Sequence, residues 1–304
     1  MWPRAQTTYA LLVTNRLAAL LGDRPAILDG GYGWLLQERG LPTGEAAESW
    51  NLTAPDRVAA IHEEYAQAGA SILTTNTFGA TEPRLGPLGL SGQSYVVARA
   101  GATIARGVAD RHGILVAGDV GPIGELLEPL GVLTAQEAVE LFAEQIRGLT
   151  DGGVQLILIE TMSDLAETRA AIDAARLVAP DLPIIATMSF DTHLRTMMGV
   201  TPTQAVEALA EAGVDAVGAN CGRGPEEMRD IATALVSARR DGMLLVAQSN
   251  AGLPELSGDR FVYTVDPAGM AAHAQELRAC GVDVIGACCG SSPEHIAAIS
   301  EALR

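Results

Sequence analysis

Short apolar runs recur along the chain, each followed by a glycine-rich or polar loop and then by an amphipathic stretch. Eight of these runs are strand candidates: residues 26–29, 71–76, 114–119, 155–160, 183–189, 214–220, 243–250 and 282–288. Most are continuously apolar rather than alternating, the pattern of parallel strands covered on both faces. The stretches between them read as helices. Residues 55–69 place Val58, Ile61 and Tyr65 on one stripe, and residues 134–149 do the same with Val139, Phe142 and Ile146. Thr53 ahead of Pro55, Thr134 with Glu137 three residues on, and Ser292 ahead of Pro293 are the expected helix starts. Ala-Gly-Ala-Ser at 68–71 and Ala-Gly-Val-Asp at 212–215, with Cys-Gly-Val-Asp at 280–283, mark helices that end on glycine just before a strand.

Eight alternating units predict an α/β fold, a single (β/α)8 TIM barrel spanning residues 1–304 as one domain. An open doubly wound sheet is the rival. It is disfavoured because no Gly-x-Gly-x-x-Gly follows the first strand. Residues 1–24 are expected to form a helical extension that plugs or flanks the bottom of the barrel.

The formal charge of −17 speaks against a nucleic-acid partner, which needs clustered cations. No apolar run reaches the ~18 residues of a spanning helix, and no signal-peptide pattern opens the chain, so a cytoplasmic protein without a membrane partner is expected. All 20 cationic side chains are arginine. Without lysine, a lysine Schiff base and a lysine general base are excluded.

In such barrels the chemistry gathers at the carboxyl ends of the strands. Here those ends offer Asp29-Gly30-Gly31, Thr75-Asn76-Thr77-Phe78, Asp119, Glu160-Thr161, Ser189-Phe190-Asp191, Asn220-Cys221-Gly222, Gln248-Ser249-Asn250 and Cys288-Cys289-Gly290. Three of the four cysteines fall there. The fourth, Cys280, ends the preceding helix and is expected to be a small buried hydrophobe. Three thiolates with one position vacant is the pattern of a catalytic zinc site, ligated ~2.3 Å away at sulfur. Neighbouring strand residues point to opposite faces, so Cys288 and Cys289 share an ion only if the backbone turns there, and Gly290 makes that turn cheap. A vicinal redox pair is the competing reading. The histidines supply no alternative site: His62, His112, His273 and His295 fall in or beside helices, and His193 on a loop.

At these residues the sequence resembles the homocysteine S-methyltransferase family, including the homocysteine module of cobalamin-dependent methionine synthase and the betaine-dependent enzymes. The matching stretches are Ile27-Leu28-Asp29-Gly30-Gly31, Thr75-Asn76-Thr77-Phe78, Gly118-Asp119-Val120-Gly121-Pro122, Ile159-Glu160-Thr161-Met162-Ser163-Asp164, Gly218-Ala219-Asn220-Cys221, Asn250-Ala251-Gly252-Leu253-Pro254-Glu255 and Gly286-Ala287-Cys288-Cys289-Gly290. They run from about residue 25 to the C-terminus in the family's order. The resemblance implies the barrel, a Zn2+ on Cys221, Cys288 and Cys289, and homocysteine as the thiol that is methylated to methionine. By resemblance and charge, Asp29 and Glu160 are candidates to bind the substrate ammonium. Backbone amides of Gly30, Gly31 or Thr77 are candidates for its carboxylate, Asn220 is a further candidate to contact the substrate, and Asn220 and Asn250 are candidates for steadying the thiolates or their loops. Asp119 and Gln248 receive no role.

Residues 128–176 look closest to the bacterial methionine synthase module, so a methyl-corrinoid or methyl-folate donor is favoured, with a sulfonium or betaine as alternatives. Gly79 stands where betaine-type members tend to carry tyrosine. Two rival functions remain at this stage. One is methylation of a different thiol or selenol; the other is a homocysteine-binding subunit of a split methionine synthase that needs a separate corrinoid protein.

Overall fold

The computed structural model describes residues 15–22, 26–257 and 260–304. The strands are β1 (Ala26–Ile27), β2 (Ile72–Thr74), β3 (Leu115–Val120), β4 (Leu156–Met162), β5 (Ile184–Met188), β6 (Ala216–Cys221), β7 (Leu244–Ser249), β8 (Pro254–Ser257), β9 (Arg260–Tyr263) and β10 (Val284–Ala287). Eight of them form one parallel sheet in the order β1-β10-β7-β6-β5-β4-β3-β2. A parallel bridge between Leu28 and Ile72 joins its two edges and closes the barrel. The expected (β/α)8 architecture is what the chain adopts.

Alternation, invisible in the continuously apolar runs, becomes clear in three dimensions. Leu156 and Leu158 of β4 point inward with Ile72, Ala117, Ile185, Val246 and Val284, forming a layer in the barrel interior. Ile157 and Ile159 point outward into the larger core beneath the helices. That outer core is built on small side chains: a Cβ added at Gly152 would lie 2.4 Å from the Ala102 Cβ and 2.8 Å from the Arg99 carbonyl oxygen. Glycine there lets helix Ala135–Asp151 lie against helix Ser94–His112.

Local chemistry mostly follows the sequence. Thr134 and Glu137 complete both bonds of a capping box. Ser292 is the N-cap of helix Pro293–Ala302, its N–H donating to His295 Nδ1. Thr53 is a correction. It ends a short helix, Trp50–Thr53, and its hydroxyl donates to the Ser49 carbonyl, so Ala54 becomes the N-cap of helix Pro55–Gln67. Cys280 is another: it is half-buried, with its sulfur 3.8 Å from Thr233 Oγ1. The antiparallel hairpin of β8 and β9 was not anticipated. Among the described residues, no helix is long and apolar enough to cross a membrane.

Of the expected N-terminal extension, residues 1–14 and 23–24 lie outside the described residues. Helix Arg16–Leu21 does close the bottom of the barrel. Leu17 is fully buried in the interior layer, beside Ala26, Leu28 and Ala216. The helix is latched from its start: Asn15 Nδ2 donates to the carbonyls of Asp215 and Gly242, and Arg16 pairs with the Asp215 carboxylate at 2.9 Å. Leu17→Ala is therefore expected to lower stability by about 2–5 kcal/mol, the range for deleting a buried leucine side chain. Urea unfolding of parent and variant measures this, and a loss below about 1 kcal/mol would show that the plug is not packed.

Candidate active site

Because strand side chains alternate, the residues two beyond the interior layer also point inward, now at the mouth. Thr74 follows Ile72, Asp119 follows Ala117, Glu160 follows Leu158, Thr187 follows Ile185, and Gln248 follows Val246. An apolar floor is thus topped by a polar rim. Above it opens a cavity of about 380 Å³, whose lining includes Thr77, Asp119, Glu160, Gln248 and the cysteines at 221, 288 and 289.

The three sulfurs lie within 4.8 Å of one another, with Cys221 and Cys288 at 3.1 Å. Two breaks in strand geometry bring them together. Cys221 has φ +61° and Gly222 φ +70°, which swings the Cys221 thiol toward the mouth, and Gly290 at φ +79° turns the chain behind Cys289. Asn250 ties the two breaks to each other. Its Oδ1 accepts from the Cys289 N–H at 3.0 Å and its Nδ2 donates to the Gly222 carbonyl at 2.7 Å. Asn220 Nδ2 reaches Cys221 Sγ at 3.6 Å.

β9 adds a wall. A Cβ at Gly290 would lie 2.0 Å from the Tyr263 ring, so this glycine is required by the tyrosine as well as by its own φ. Trp34 meets Tyr263 edge-on at 6.3 Å. Cys289 is held lowest, at about 3, by hydrogen bonding from Cys221 and then Cys288, while contacts with Cys221 and then Cys289 push Cys288 up.

Carboxyls crowd the same space. Glu160 is pushed up to about 7 by burial, then by the charges of Asp29 and Cys289. Asp119 is raised well above the carboxylate range by burial, then by Glu160, Glu48 and Asp29. Asp29 is pushed to about 7 by burial, against the opposing hydrogen bonds from Thr74 and Tyr32. None of the cavity-lining residues carries a positive charge. Two buried acceptors, Asp119 Oδ1 and Gln248 Oε1, have no hydrogen-bond donor. A buried acid cluster with orphaned acceptors and no cation is a site arranged for a ligand that brings donors and positive charge.

Not every expected contact is in place. Asp29 lies behind the cavity wall. Its Oδ1 accepts from Thr74 Oγ1 at 2.8 Å, and its Oδ2 from the Thr74 N–H at 2.8 Å and the Tyr32 hydroxyl at 2.9 Å. Two of the offered amides are already engaged, the Gly31 N–H by Ser291 Oγ and the Thr77 N–H by the Thr75 carbonyl. Gly30 and Gly31 line the cavity, and their lack of side chains matters: a Cβ at Gly31 would lie 2.8 Å from the Cys288 carbonyl oxygen. The sequence reading left Asp119 and Gln248 without roles and missed Glu48, Tyr32, Trp34 and Tyr263. Tyr263 was within reach, since Phe261-Val262-Tyr263 is a short run of aromatic and β-branched residues, a strand signal, just after the motif at 250–255.

A barrel whose mouth gathers three thiols and a cluster of buried acids defines an enzyme site at the family's usual end of the fold. The chain belongs to the homocysteine S-methyltransferase family, whose model matches residues 26–303. It is 31% identical over 303 residues to the methionine synthase of Mycobacterium leprae, covering 94% of this chain and 25% of that protein. With the methionine synthase of Mycobacterium tuberculosis it shares 31% over 308 residues, 96% of this chain and 26% of the relative. The chain thus spans about a quarter of the length of these relatives. Among solved structures, the metallated and oxidized forms of the homocysteine methyltransferase MmuM from Escherichia coli superpose with TM-scores of 0.79 and 0.78 at 22% and 24% identity, each over 94% of this chain and 99% of that one. These identities establish the shared fold.

The raised carboxyls carry a pH consequence. A buried acid that titrates near 7 keeps its proton in the folded state after the unfolded chain, near 4.5, has lost it. Stability is therefore complete below about 4.5 and declines as pH rises through 7. Glu160→Gln should remove part of that decline, up to about 3 kcal/mol between pH 4.5 and 8. Urea unfolding of the metal-free parent and variant at both pH values tests it, and equal slopes would mean that Glu160 is not buried as a charge.

Proposed function

We propose that this protein methylates the thiol of homocysteine to give methionine, with a zinc ion held by Cys221, Cys288 and Cys289. The observation that carries the reading is the convergence of three sulfurs within 4.8 Å on the wall of an acid-lined cavity. Tetrahedral thiolate ligands ~2.3 Å from zinc stand about 3.8 Å apart. The cluster fits that spacing once the 3.1 Å contact of Cys221 and Cys288 opens by a fraction of an ångström. The group that could hold the ion contains only these three thiols, so a zinc held there would keep one ligand position for a substrate sulfur. When bound, zinc supplies Lewis acidity that removes the thiol proton near neutral pH, where a free thiol is mostly protonated and weakly nucleophilic.

The remaining work falls to the chain's own groups. Glu160 and Asp119 receive the substrate ammonium, which offsets the burial and then the mutual repulsion that raise their pKa values, and gives the orphaned Asp119 Oδ1 a donor. Gln248 Oε1 is available to a further N–H. Asp29 acts from behind, fixing Thr74 and Tyr32 at the rim. With the amino-acid end held, the substrate sulfur points at the cysteines. Its electron pair forms the new S–CH₃ bond as the methyl leaves its donor, which keeps the electrons of the broken bond.

The donor proposed is a methyl-corrinoid or methyl-folate, supported by the 31% identity to two methionine synthases. Delivery of the methyl group by a corrinoid-carrying protein is the second reading, supported by the same identity to methionine synthases. Betaine is the less favoured donor, because Gly79 stands where betaine-type members tend to carry tyrosine. A Cβ at Gly79 would lie 3.0 Å from Glu48 Oε1 and 3.3 Å from Arg84 Cδ, so a tyrosine there requires both to move.

Cys288→Ala is expected to lose stoichiometric zinc and methionine formation together, read by metal analysis and product assay across a panel of donors. Full zinc with full turnover in that variant would remove the metal assignment. Glu160→Gln should keep its zinc and raise the homocysteine KM roughly 10- to 100-fold, the usual worth of a charged hydrogen bond. An unchanged KM would place the ammonium elsewhere.

A further inference from the structure

Two non-glycine residues at the mouth hold left-handed backbone, Thr161 at φ +60° and Cys221 at φ +61°. Each such conformation costs about 1–3 kcal/mol and persists only where the surroundings fix it. Thr161 follows Glu160 inside a bulge, where the pairing of β4 with β5 shifts register between Ile159 and Met162. Bulges beside active sites commonly re-aim a side chain. Cys221 ends β6, and β5 lies between the two irregularities.

A single side chain spans all three strands. Asn220 Oδ1 accepts from the Thr161 N–H at 2.8 Å and from Thr187 Oγ1 at 2.7 Å. Its Nδ2 donates to Thr161 Oγ1 at 2.6 Å and to Cys221 Sγ at 3.6 Å. The amide is 1% exposed, and every one of these contacts is internal to the protein. Asn220, expected from the sequence to meet substrate, is fully used in joining the bulge that carries Glu160 to the cysteine that ends β6.

We propose that Asn220 is a positioning residue that couples the Cys221 thiolate to the Glu160–Thr161 bulge, so that holding the metal and holding the substrate ammonium are one linked property. This rests on the zinc and homocysteine reading above. An N–H pointing at a thiolate draws charge from it and fixes its direction, and such outer contacts commonly govern metal affinity. The amide cannot rotate to follow Cys221 without losing both of its bonds to Thr161. Drawing Glu160 toward an ammonium therefore stiffens the bulge, the amide and the thiolate together. Linkage makes the effect reciprocal: whatever tightens one end tightens the other by the same factor.

The test uses the whole protein and a probe that fills the amino-acid end without touching the metal. L-2-aminobutyrate is homocysteine without its sulfur. In the parent it should tighten zinc binding, measured by chelator competition, at least fivefold. Thr161→Val keeps the branched shape and the backbone N–H but removes the hydroxyl that orients Nδ2, and it does not touch the cluster. It should weaken zinc binding roughly tenfold or more, shift the thiolate-to-cobalt charge-transfer band of the cobalt-loaded protein to lower energy, and abolish the effect of aminobutyrate. Thr161→Ser, which restores the hydroxyl, should behave as the parent. The proposal is overturned if aminobutyrate leaves parental zinc affinity unchanged, if Thr161→Val matches the parent in affinity and spectrum, or if Thr161→Ser is as impaired as the valine variant. A parent protein with no thiolate-to-cobalt band would overturn the metal reading as well, which separates the two failures.

Discussion

Three sulfurs meet at the mouth because two strands abandon strand geometry at one residue each. In a regular strand Asn220 and Cys221 would face opposite sides of the sheet, as would Cys288 and Cys289. The left-handed turn at Cys221–Gly222 and the turn at Gly290 cancel that opposition, and Asn250 clamps the two turns to each other. Local distortion is stabilised by the regularity around it. β6, β7 and β10 pair in register up to Cys221, Ser249 and Ala287, so the breaks fall at fixed heights on the barrel.

Charge is distributed along the barrel axis in a way that serves the same end. Three arginines fasten the bottom. Arg16 pairs with Asp215, Arg176 donates to the carbonyls of Leu182 and Gly213, and Arg239 pairs with Asp283 and donates to Gly281. These guanidinium groups fasten the loops where strands begin. The top has the buried Asp29, Asp119 and Glu48 with the half-buried Glu160, and Arg84 is the cation near them, stacked over Phe78 at 5.5 Å and donating to the Pro122 carbonyl. Glu48 accepts from the Gly79 N–H at 2.5 Å and feels Arg84 only in part. A low-dielectric mouth that stays short of positive charge favours cationic groups arriving from solvent over any internal pairing.

Much of this was legible in the residues, for identifiable reasons. The barrel showed in the repetition of apolar run, loop and amphipathic stretch, because strands buried on both faces leave no polar interruptions. The thiol cluster showed in three cysteines at two strand ends, one pair followed by Gly290. What stayed hidden depends on contacts between distant segments. Asp29 reads as a ligand-binding acid, yet Thr74, 45 residues away, takes both its oxygens. Thr161 gives no local sign of its left-handed backbone, which is imposed by Asn220 across two strand boundaries. Thr53 has the letters of a helix cap, but the short helix before it claims the residue first.

The separation of Cys221 from its partners along the chain sets an order of events during synthesis. Cys288 lies 67 residues beyond it, with two helices, β7, the hairpin of β8 and β9, and β10 in between. Until the chain has been made through residue 289 and β10 has inserted between β1 and β7, the first thiol has emerged alone. Assembly of this cluster is consequently a late event in biogenesis, and the nascent protein must keep one reduced cysteine in reserve while most of the barrel is already assembling around it.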